Sequence, residues 1–234
     1  RLRVADVAVP KAEIVGIPLA DGGEGTAVNL TSALHGKLKY YAVHGPDGAI
    51  VNASAGILPD GKTAVMDLAS ASGIELIPRE KLNPMIMSSR GSGELICKLA
   101  DDGITHIIIG LGGSATVDGG TGLLQACGLE FKDEHGNPSG FGGASLMKIQ
   151  SIKESEAFKK LRRAIKITVL SDVRNPLTGK NGAAPVFGPQ KGASPEMVDL
   201  LDKALLHFAE KMKNAGYVND SESPGDGAAG GTGF

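Results

Sequence analysis

Residues 104–122 have the sequence ITHIIIGLGGSATVDGGTG, and this stretch decides the class of fold. Its first seven residues are mostly apolar and β-branched, which predicts a central strand of a sheet that is covered on both faces. A glycine-rich loop follows, and the residues LLQACG after it predict a short helix. Strand, loop and helix in this order indicate an α/β protein, in which ligands bind beyond the carboxyl ends of the strands.

The same alternation extends in both directions from this stretch. The pattern predicts strands at 12–18, 37–43, 49–57 and 62–68, a second buried strand at 164–171, and helices at 27–34, 89–103, 154–163 and 195–213. Ser92 is predicted near the N-cap of the helix at 89–103, and Gly103 just past its end. Ser194 is the predicted N-cap of the last helix. We therefore expect an α/β fold whose loops at strand ends carry the function.

The composition excludes several classes of protein. The 234 residues include 34 glycines, 41% are hydrophobic, and the formal net charge is −2. A disordered chain would be less apolar, collagen would show a period of three, and a nucleic-acid or membrane-surface protein would show a basic stripe. The sequence contains neither a run of about 18 apolar residues nor a visible signal peptide, so we predict a cytoplasmic location with no membrane or nucleic-acid partner. Cys97 and Cys127 are most simply small core residues.

Two motif matches fail because of their context. Residues 56–63, GILPDGKT, match the phosphate-binding pattern G-x-x-x-x-G-K-[ST], but the segment after them predicts a strand where that motif requires a helix. A hairpin turn is the better interpretation. Residues 225–230, GDGAAG, match G-x-G-x-x-G without a preceding strand, which argues against dinucleotide binding and leaves a glycine-rich phosphate or substrate loop open.

The acidic loop, which we define as residues 18–26 (PLADGGEGT), is the first candidate site. Gly22 and Gly23 allow the backbone to approach a ligand closely. Asp21 could hold Mg²⁺ directly or through water, because this ion prefers one or two carboxylates together with phosphate oxygens. The alternative is that Asp21 and Glu24 cap the following helix and complement its dipole.

A second candidate lies at residues 88–94, SSRGSGE, where a helix begins. Hydroxyl groups, free backbone amides and the guanidinium of Arg90 suit a carboxylate or a phosphate. Plain N-capping by Ser92 is at least as good an explanation of this sequence.

The central loop, residues 110–120, is the strongest candidate. Its glycines, Gly112 and Gly113 among them, and the hydroxyls of Ser114 and Thr116 would form an amide-lined nest for an anion. Asp118 could bind a metal ion. A tight β–α turn is the alternative, but such a turn needs fewer glycines.

The long loop, residues 171–193, follows the second predicted buried strand. Asp172 would be held rigidly at the end of that strand and could take a proton from a substrate hydroxyl. Asn175 could orient the substrate, and Lys180 or Lys191 could neutralise phosphate charge. The alternative is an Asx turn at Asp172 with solvated lysines. Since neither a Ser-His-Asp nor a Cys-His arrangement suggests itself, the loops together favour phosphoryl transfer.

These motifs resemble those of the class I glycerate kinase family over nearly the whole chain. The matching segments are PLADGGEGT, GSGELI, IIIGLGGSATVDGGTG, SDVRNPLTGKNGAAPVFGPQKGAS and PGDGAAGGTGF. The resemblance implies an ATP- and Mg²⁺-dependent kinase of D-glycerate with 2-phosphoglycerate as the usual product. It also implies a flavodoxin-like domain, of which residues 1–36 would be a remnant, and a restriction-enzyme-like α/β domain at 37–234.

The resemblance also implies roles for matching residues. Asp172 would be the base on the glycerate hydroxyl, and Asp21 and Asp118 would contact metal or substrate. The phosphate or the glycerate carboxylate would be cradled by Gly112, Gly113, Ser114 and Thr116.

Some family features are absent from this sequence. An initial segment similar to APDSFKGS and a later motif similar to TGEGR are missing, Arg90 stands where tyrosine is common, and Asp226 stands where alanine is common. We therefore expect an incomplete site with weak or no activity. A non-catalytic nucleotide- or anion-binding module, and a phosphatase or mutase using the same loops, are the alternatives, and a homo-oligomer is compatible with the sequence.

Overall fold

The computed structural model of the chain describes residues 22–217 and 221–234. The predicted strand at 12–18 and the candidate residue Asp21 lie outside these ranges. Within them, no helix combines the length and the apolar character that a membrane crossing requires.

A five-stranded mixed sheet forms the framework of the described chain. Its strands are β1 (Lys37–His44), β2 (Ile50–Ile57), β3 (Thr63–Asp67), β4 (His106–Gly110) and β7 (Lys166–Leu170). They lie in the order β1-β2-β3-β4-β7, and pairing is antiparallel from β1 to β3 and parallel from β3 to β7. A separate antiparallel pair consists of β5 (Leu129–Lys132) and β6 (Ser151–Glu154). The α/β class is confirmed.

Helices occupy the connections between these strands. They are α1 (Thr26–Ala33), α2 (Ala69–Ser72), α3 (Arg90–Asp101), α4 (Thr121–Ala126), α5 (Glu156–Ala164), α6 (Ala183–Phe187) and α7 (Pro195–Asn214). Short 3₁₀ turns lie at Ile74–Leu76, Arg79–Lys81, Gly143–Lys148, Pro189–Lys191 and Ala228–Gly230. The predicted long loop therefore contains the short helix α6 and a 3₁₀ turn, which its many glycines and prolines concealed.

The match to a phosphate-binding motif at 56–63 is a hairpin turn between β2 and β3, as predicted. Gly61 has φ +63°, and its amide donates to the carbonyl of Leu58 at 3.0 Å. The Asp60 carboxylate accepts the amides of Lys62 and Thr63 at 2.9 Å each, so the turn is closed by its own side chain. Strand β3 follows the turn where the phosphate-binding motif requires a helix.

Helix α7 supplies a large part of the core through one face. Leu201, Leu205 and Phe208 are fully buried, and the Phe208 ring meets that of Phe131 edge-on at 5.8 Å. Ser194 is the N-cap as predicted, because its hydroxyl accepts the amide of Met197. Leu200, an apolar residue next to Leu201 on this helix, is 54% exposed.

Two predictions are wrong, one about the residue that caps helix α3 and one about the burial of strand β7. Helix α3 begins at Arg90 with Ser89 as its N-cap, so Ser92 lies inside the first turn. Strand β7 is not buried: Ile167 and Val169 are 47% and 50% exposed, because β7 lies at the edge of the sheet. An apolar strand sequence does not reveal whether another element of the described chain covers it.

Helix α1 packs against strands β2 and β3 of the five-stranded sheet. Gly56 on β2 lies so close to Thr31 that any side chain at 56 would overlap the threonine hydroxyl. This contact holds residues 26–33 on β2 and β3. The domain division at residue 36 remains a prediction.

Candidate functional site

Three parallel strands end side by side and so collect the candidate loops at one edge of the sheet. Asp67 on β3 pairs with Gly110 on β4, and Gly110 pairs with Leu170 on β7. The central loop leaves β4 at this level, and the long loop leaves β7. The predicted clustering of loops at strand ends is therefore present.

The acidic loop lies directly against the start of the central loop. The Gly112 amide donates to the Gly22 carbonyl at 2.8 Å. A Cβ at Gly112 would lie 2.5 Å from the Gly23 Cα, and a Cβ at Gly22 would lie 2.7 Å from the Leu170 carbonyl oxygen. The glycines at these positions are required by the close approach of three backbone segments.

Asp67 fixes the acidic loop, and sequence reasoning missed it. Its two carboxylate oxygens accept the amides of Gly25 and Ala27, each at 2.9 Å, where α1 begins. Burial raises the pKa of Asp67 to about 6, and the nearby charge of Glu24 acts in the same direction, while the two hydrogen bonds oppose the rise. An acid at the end of the apolar strand sequence TAVMD was the signal that could have identified it.

Lys191 is the central charged residue of the site. The 3₁₀ turn at Pro189–Lys191 carries it into the interior, where it is 2% exposed. Its Nζ donates to the Ser114 hydroxyl and to the Thr116 carbonyl, both at 2.7 Å. In the described part of the chain, no carboxylate oxygen lies within 4.0 Å of this Nζ, so Lys191 forms no ion pair there. Burial lowers the pKa of Lys191 to about 7, although the charge of Asp118 opposes this effect.

A small cavity of about 100 Å³ opens beside this lysine, and we call it the lysine pocket. Its lining is part polar and part apolar, and comprises Leu111, Gly112, Gly113, Ser114, Val173, Phe187, Gln190, Lys191 and Ala229. Ala229 has φ +51° and ψ +37°, a left-handed conformation that is costly for a residue with a side chain. Strain of this kind is concentrated at functional sites.

The terminal loop, residues 224–234, closes over the central loop. The Gly119 amide donates to the Gly230 carbonyl at 3.1 Å, and a side chain at Gly230 would overlap the Thr116 carbonyl oxygen. Asn175 joins the long loop to the terminal loop, because its carbonyl accepts the Gly227 amide at 2.9 Å. Its side-chain amide donates to the Asn181 carbonyl at 2.8 Å. The glycines of the GDGAAG match therefore serve close packing beside the lysine pocket.

The carboxylate of Asp118, the predicted metal ligand, accepts hydrogen bonds from neighbouring residues of the protein. The side chain is fully buried, and burial raises its pKa. One carboxylate oxygen accepts the amide and the hydroxyl of Ser89 at 2.8 and 2.9 Å, and the other accepts the Gly120 amide at 3.2 Å. This geometry links the starts of α3 and α4 and does not support a metal-binding role.

Arg90 and Ser92 are engaged within the protein and lie apart from the lysine pocket. The Ser92 hydroxyl is fully buried, 2.8 Å from the hydroxyl of Ser72 and 3.2 Å from the Leu68 carbonyl. The Arg90 Nε donates to Glu94 at 2.8 Å. The structure does not support substrate binding by Ser92, and Arg90 already holds a carboxylate of its own helix.

Asp172 lies beside the lysine pocket but is not held as predicted. It lies two residues beyond the end of β7. Asp172 is exposed, as are most residues of that strand. Its neighbour Val173 lines the pocket. Asp172 itself does not line the pocket and is exposed next to a residue that does. Lys180, the alternative to Lys191, is exposed.

The central loop also contains an unsatisfied polar group. The Thr116 hydroxyl oxygen is buried and has no hydrogen-bond partner. Native proteins leave few such groups. The Thr116 hydroxyl is therefore available to a donor or acceptor that the described chain does not supply.

A larger cavity of about 280 Å³ lies elsewhere, between α7 and the exposed face of β7. It is lined mainly by apolar side chains, including Ile167, Val169 and Phe208, and by no charged residue. The candidate site lies in the smaller of these two cavities, because it combines a buried cation with backbone amides at the strand ends, and the larger one has no charged lining residue.

Several known proteins are similar to this chain over most of its length. A "Glycerate 2-kinase" of Escherichia coli K12 is 50% identical over 224 residues, which are 96% of this chain and 58% of the relative. A "Glycerate kinase" of Haemophilus influenzae is 47% identical, with 96% of this chain and 59% of the relative covered. The crystal structure of a candidate glycerate kinase 2 from Salmonella typhimurium LT2 is similar, with a TM-score of 0.88 and 46% identity over 96% of this chain and 60% of that one.

The chain thus spans less than two thirds of the length of these relatives. Within that span, the family model described as the glycerate kinase family matches residues 3–234. The central loop, the long loop and the terminal loop all lie in the matched region. The chain belongs to the glycerate kinase family.

Proposed function

We propose that the site around Lys191 transfers a phosphoryl group from ATP to a hydroxyl group of D-glycerate. The observation that carries the proposal is the buried ammonium of Lys191, which has no carboxylate partner in the described chain and faces a loop of backbone amides. A buried charge without a counter-ion is costly, so such a site favours an anionic ligand. The name of the Escherichia coli relative, glycerate 2-kinase, supports 2-phosphoglycerate as the product.

The chemistry of this step requires positioning and charge neutralisation more than covalent catalysis. The hydroxyl oxygen attacks the terminal phosphorus of ATP, the bond to the ADP oxygen breaks, and the hydroxyl proton leaves to a base. Asp172 is our candidate for that base, because it is exposed and its neighbour in the chain, Val173, lines the lysine pocket. Asn175 is a candidate positioning residue that fixes the long loop against the terminal loop.

Mg²⁺ would neutralise the charge on the transferred phosphoryl group. Within residues 22–217 and 221–234, no group of three or more His, Cys, Asp or Glu side chains is arranged to hold a metal ion, and Asp118 is enclosed by its own hydrogen bonds. Glu24 fits this ion better, since it is exposed and its Cβ lies near Gly113. With Asp21 it would supply the one or two carboxylates that Mg²⁺ needs beside phosphate oxygens and water.

The Asp172→Asn variant tests the proposal. With ATP, Mg²⁺ and D-glycerate, we expect the substitution in a complete chain to lower turnover by about 10²–10⁴-fold relative to the wild type, the usual contribution of a general base. A coupled assay of ADP release measures the rate, and phosphorus NMR identifies the hydroxyl that is phosphorylated.

Asp199→Asn is the control, because Asp199 is an exposed aspartate on α7 away from the lysine pocket. It should retain the wild-type rate. An Asp172→Asn variant within a factor of about three of the wild type would remove Asp172 from the mechanism. Nucleotide binding by the wild type without any D-glycerate-dependent ADP release would contradict the proposed function.

A further inference from the structure

The lysine pocket is too small for a nucleotide. Its volume of about 100 Å³ is well below the roughly 300–1,000 Å³ of typical small-molecule sites. It has room for one anionic group and a short carbon chain. We therefore asked which part of the two substrates fits it.

The lining of the pocket combines two kinds of chemistry. Gly112, Gly113, Ser114 and Lys191 contribute polar groups, where charge-assisted hydrogen bonds to an anion are available. Leu111, Val173, Phe187 and Ala229 contribute apolar surface. A phosphate chain is anionic along its whole length, whereas a small hydroxy acid has one anionic end and a carbon chain. The second description matches the mixed lining.

Lys191 has donor capacity left for such a ligand. A protonated lysine has three N–H donors, and two of them are used by the Ser114 hydroxyl and the Thr116 carbonyl. Neither acceptor carries a full charge. One donor and the full positive charge therefore remain for an anion that enters the pocket.

Asp172, the proposed base, is adjacent in the chain to a residue of the pocket. Val173 lines the pocket, and the preceding residue, Asp172, is exposed. An acid whose carboxylate lies at Lys191 would leave its hydroxyl groups free for a base outside the pocket.

We infer that the lysine pocket binds the carboxylate of the hydroxy-acid substrate, with Lys191 and the central loop as its anion-binding groups, so that Lys191 selects a hydroxy acid over an uncharged polyol. This inference rests on the proposed function for the identity of the acid. It assigns the terminal phosphates of ATP to a place outside the pocket.

Calorimetric titration of the wild type and the Lys191→Met variant with D-glycerate, glycerol and ATP, each alone, tests the inference. D-glycerate should bind the wild type and glycerol should not. Lys191→Met should weaken D-glycerate binding at least tenfold while ATP binding stays within about threefold. Lys180→Met is the matched control, because Lys180 is an exposed lysine of the same loop, and it should bind D-glycerate like the wild type.

The pH dependence of the wild type provides a test that needs no variant. Only the charged lysine binds a carboxylate, and the pKa of Lys191 in the free protein is about 7, lowered by burial and partly restored by Asp118. D-glycerate affinity should therefore be constant below pH 7 and fall about tenfold for each pH unit above it, with uptake of a proton on binding.

Several results would overturn the inference: no binding of D-glycerate to the wild type, Lys191→Met binding within threefold of the wild type, or loss of ATP binding with D-glycerate binding retained. A flat affinity between pH 7 and 9 would also overturn it. These binding results are separable from the proposed function. Lys191-dependent D-glycerate binding without turnover contradicts only the kinase proposal, whereas turnover with an unchanged KM for D-glycerate in Lys191→Met contradicts only the inference.

Discussion

At the scale of single residues, two buried threonines near the central loop differ in how their hydroxyl groups are satisfied. The Thr116 hydroxyl has no partner among residues 22–217 and 221–234, whereas the Thr121 hydroxyl donates to the backbone carbonyl of Asp118 at 2.8 Å. Both side chains are fully buried. The same chemical change, threonine to valine, should therefore have opposite effects at the two sites.

We expect Thr116→Val to raise the free energy of unfolding by about 1 kcal/mol, because it removes a buried hydroxyl that makes no hydrogen bond. Thr121→Val should lower it by about 0.5–1.5 kcal/mol, the net value of a typical hydrogen bond. Urea unfolding of the two variants and the wild type measures both changes. If Thr116→Val loses as much stability as Thr121→Val, the Thr116 hydroxyl has a partner in the folded protein.

Sequence reasoning at this scale worked where a residue's role follows from its own loop. Gly112, Gly113 and Ser114 line one pocket with Lys191, and their role in binding an anion stays a prediction. The roles that it missed depend on distant segments. Asp67 acts on amides some 40 residues away, and Ser92 is enclosed by Ser72 of another helix. No local pattern encodes these contacts.

At the scale of elements, the strands of the five-stranded sheet and the longer helices in the described ranges were predicted to within about two residues, because their apolar periodicity and their turn residues agree. The short helices α2 and α6 and the pair β5 and β6 were not predicted, since segments of four or five residues show too little periodicity. Whether other elements cover these strands was less predictable. The sequence AIKITVLS is as apolar as a central strand, yet β7 is an edge strand with half-exposed isoleucine and valine. Whether a strand is buried depends on its place in the sheet, and the strand order is a long-range property.

The contact between the terminal loop and the central loop gives a prediction at the scale of elements. Gly230 and Gly216 have similar left-handed conformations, with φ +70° and +79°. A side chain at Gly230 would overlap the Thr116 carbonyl, whereas a Cβ at Gly216 has no heavy atom within 4 Å. Both substitutions to alanine cost the same backbone strain, of about 1 kcal/mol. Only Gly230→Ala must also separate the two loops.

We therefore expect Gly230→Ala to lower the free energy of unfolding by about 1–3 kcal/mol more than Gly216→Ala does, the usual cost of overpacking. Denaturant unfolding of both variants measures this difference. Gly230→Ala should also weaken D-glycerate binding, since Ala229 and Ser114 line the lysine pocket on either side of the contact. Equal losses of stability would mean that the two loops separate without cost.

At the scale of the whole molecule, the site is built at the expense of stability. Asp67 and Lys191 are both buried in ways that disfavour their charged forms. The pKa of Asp67 is raised to about 6, so the folded protein disfavours the charged carboxylate. Its contribution to stability is therefore most favourable below the unfolded pKa, and the penalty is complete once the pH has risen through 6. The lowered pKa of Lys191, about 7, means that its penalty is complete below pH 7 and fades as the pH rises toward the ordinary value of 10.5. The two penalties coincide near neutral pH, where a ligand anion would relieve the second.

The Lys191→Met variant isolates the lysine's share of this pH dependence. Methionine fills a similar space without a buried charge, so the variant should gain most relative to the wild type at or below pH 7. Above pH 7 the wild type sheds its penalty, and the advantage of the variant should shrink by about 1.4 kcal/mol for each pH unit. Urea unfolding of both proteins between pH 6 and 9.5 measures the slope, which does not depend on the two hydrogen bonds that methionine removes. Lys180→Met should show no such slope, and a constant difference between Lys191→Met and the wild type would mean that Lys191 does not lose its proton in the folded protein over this range.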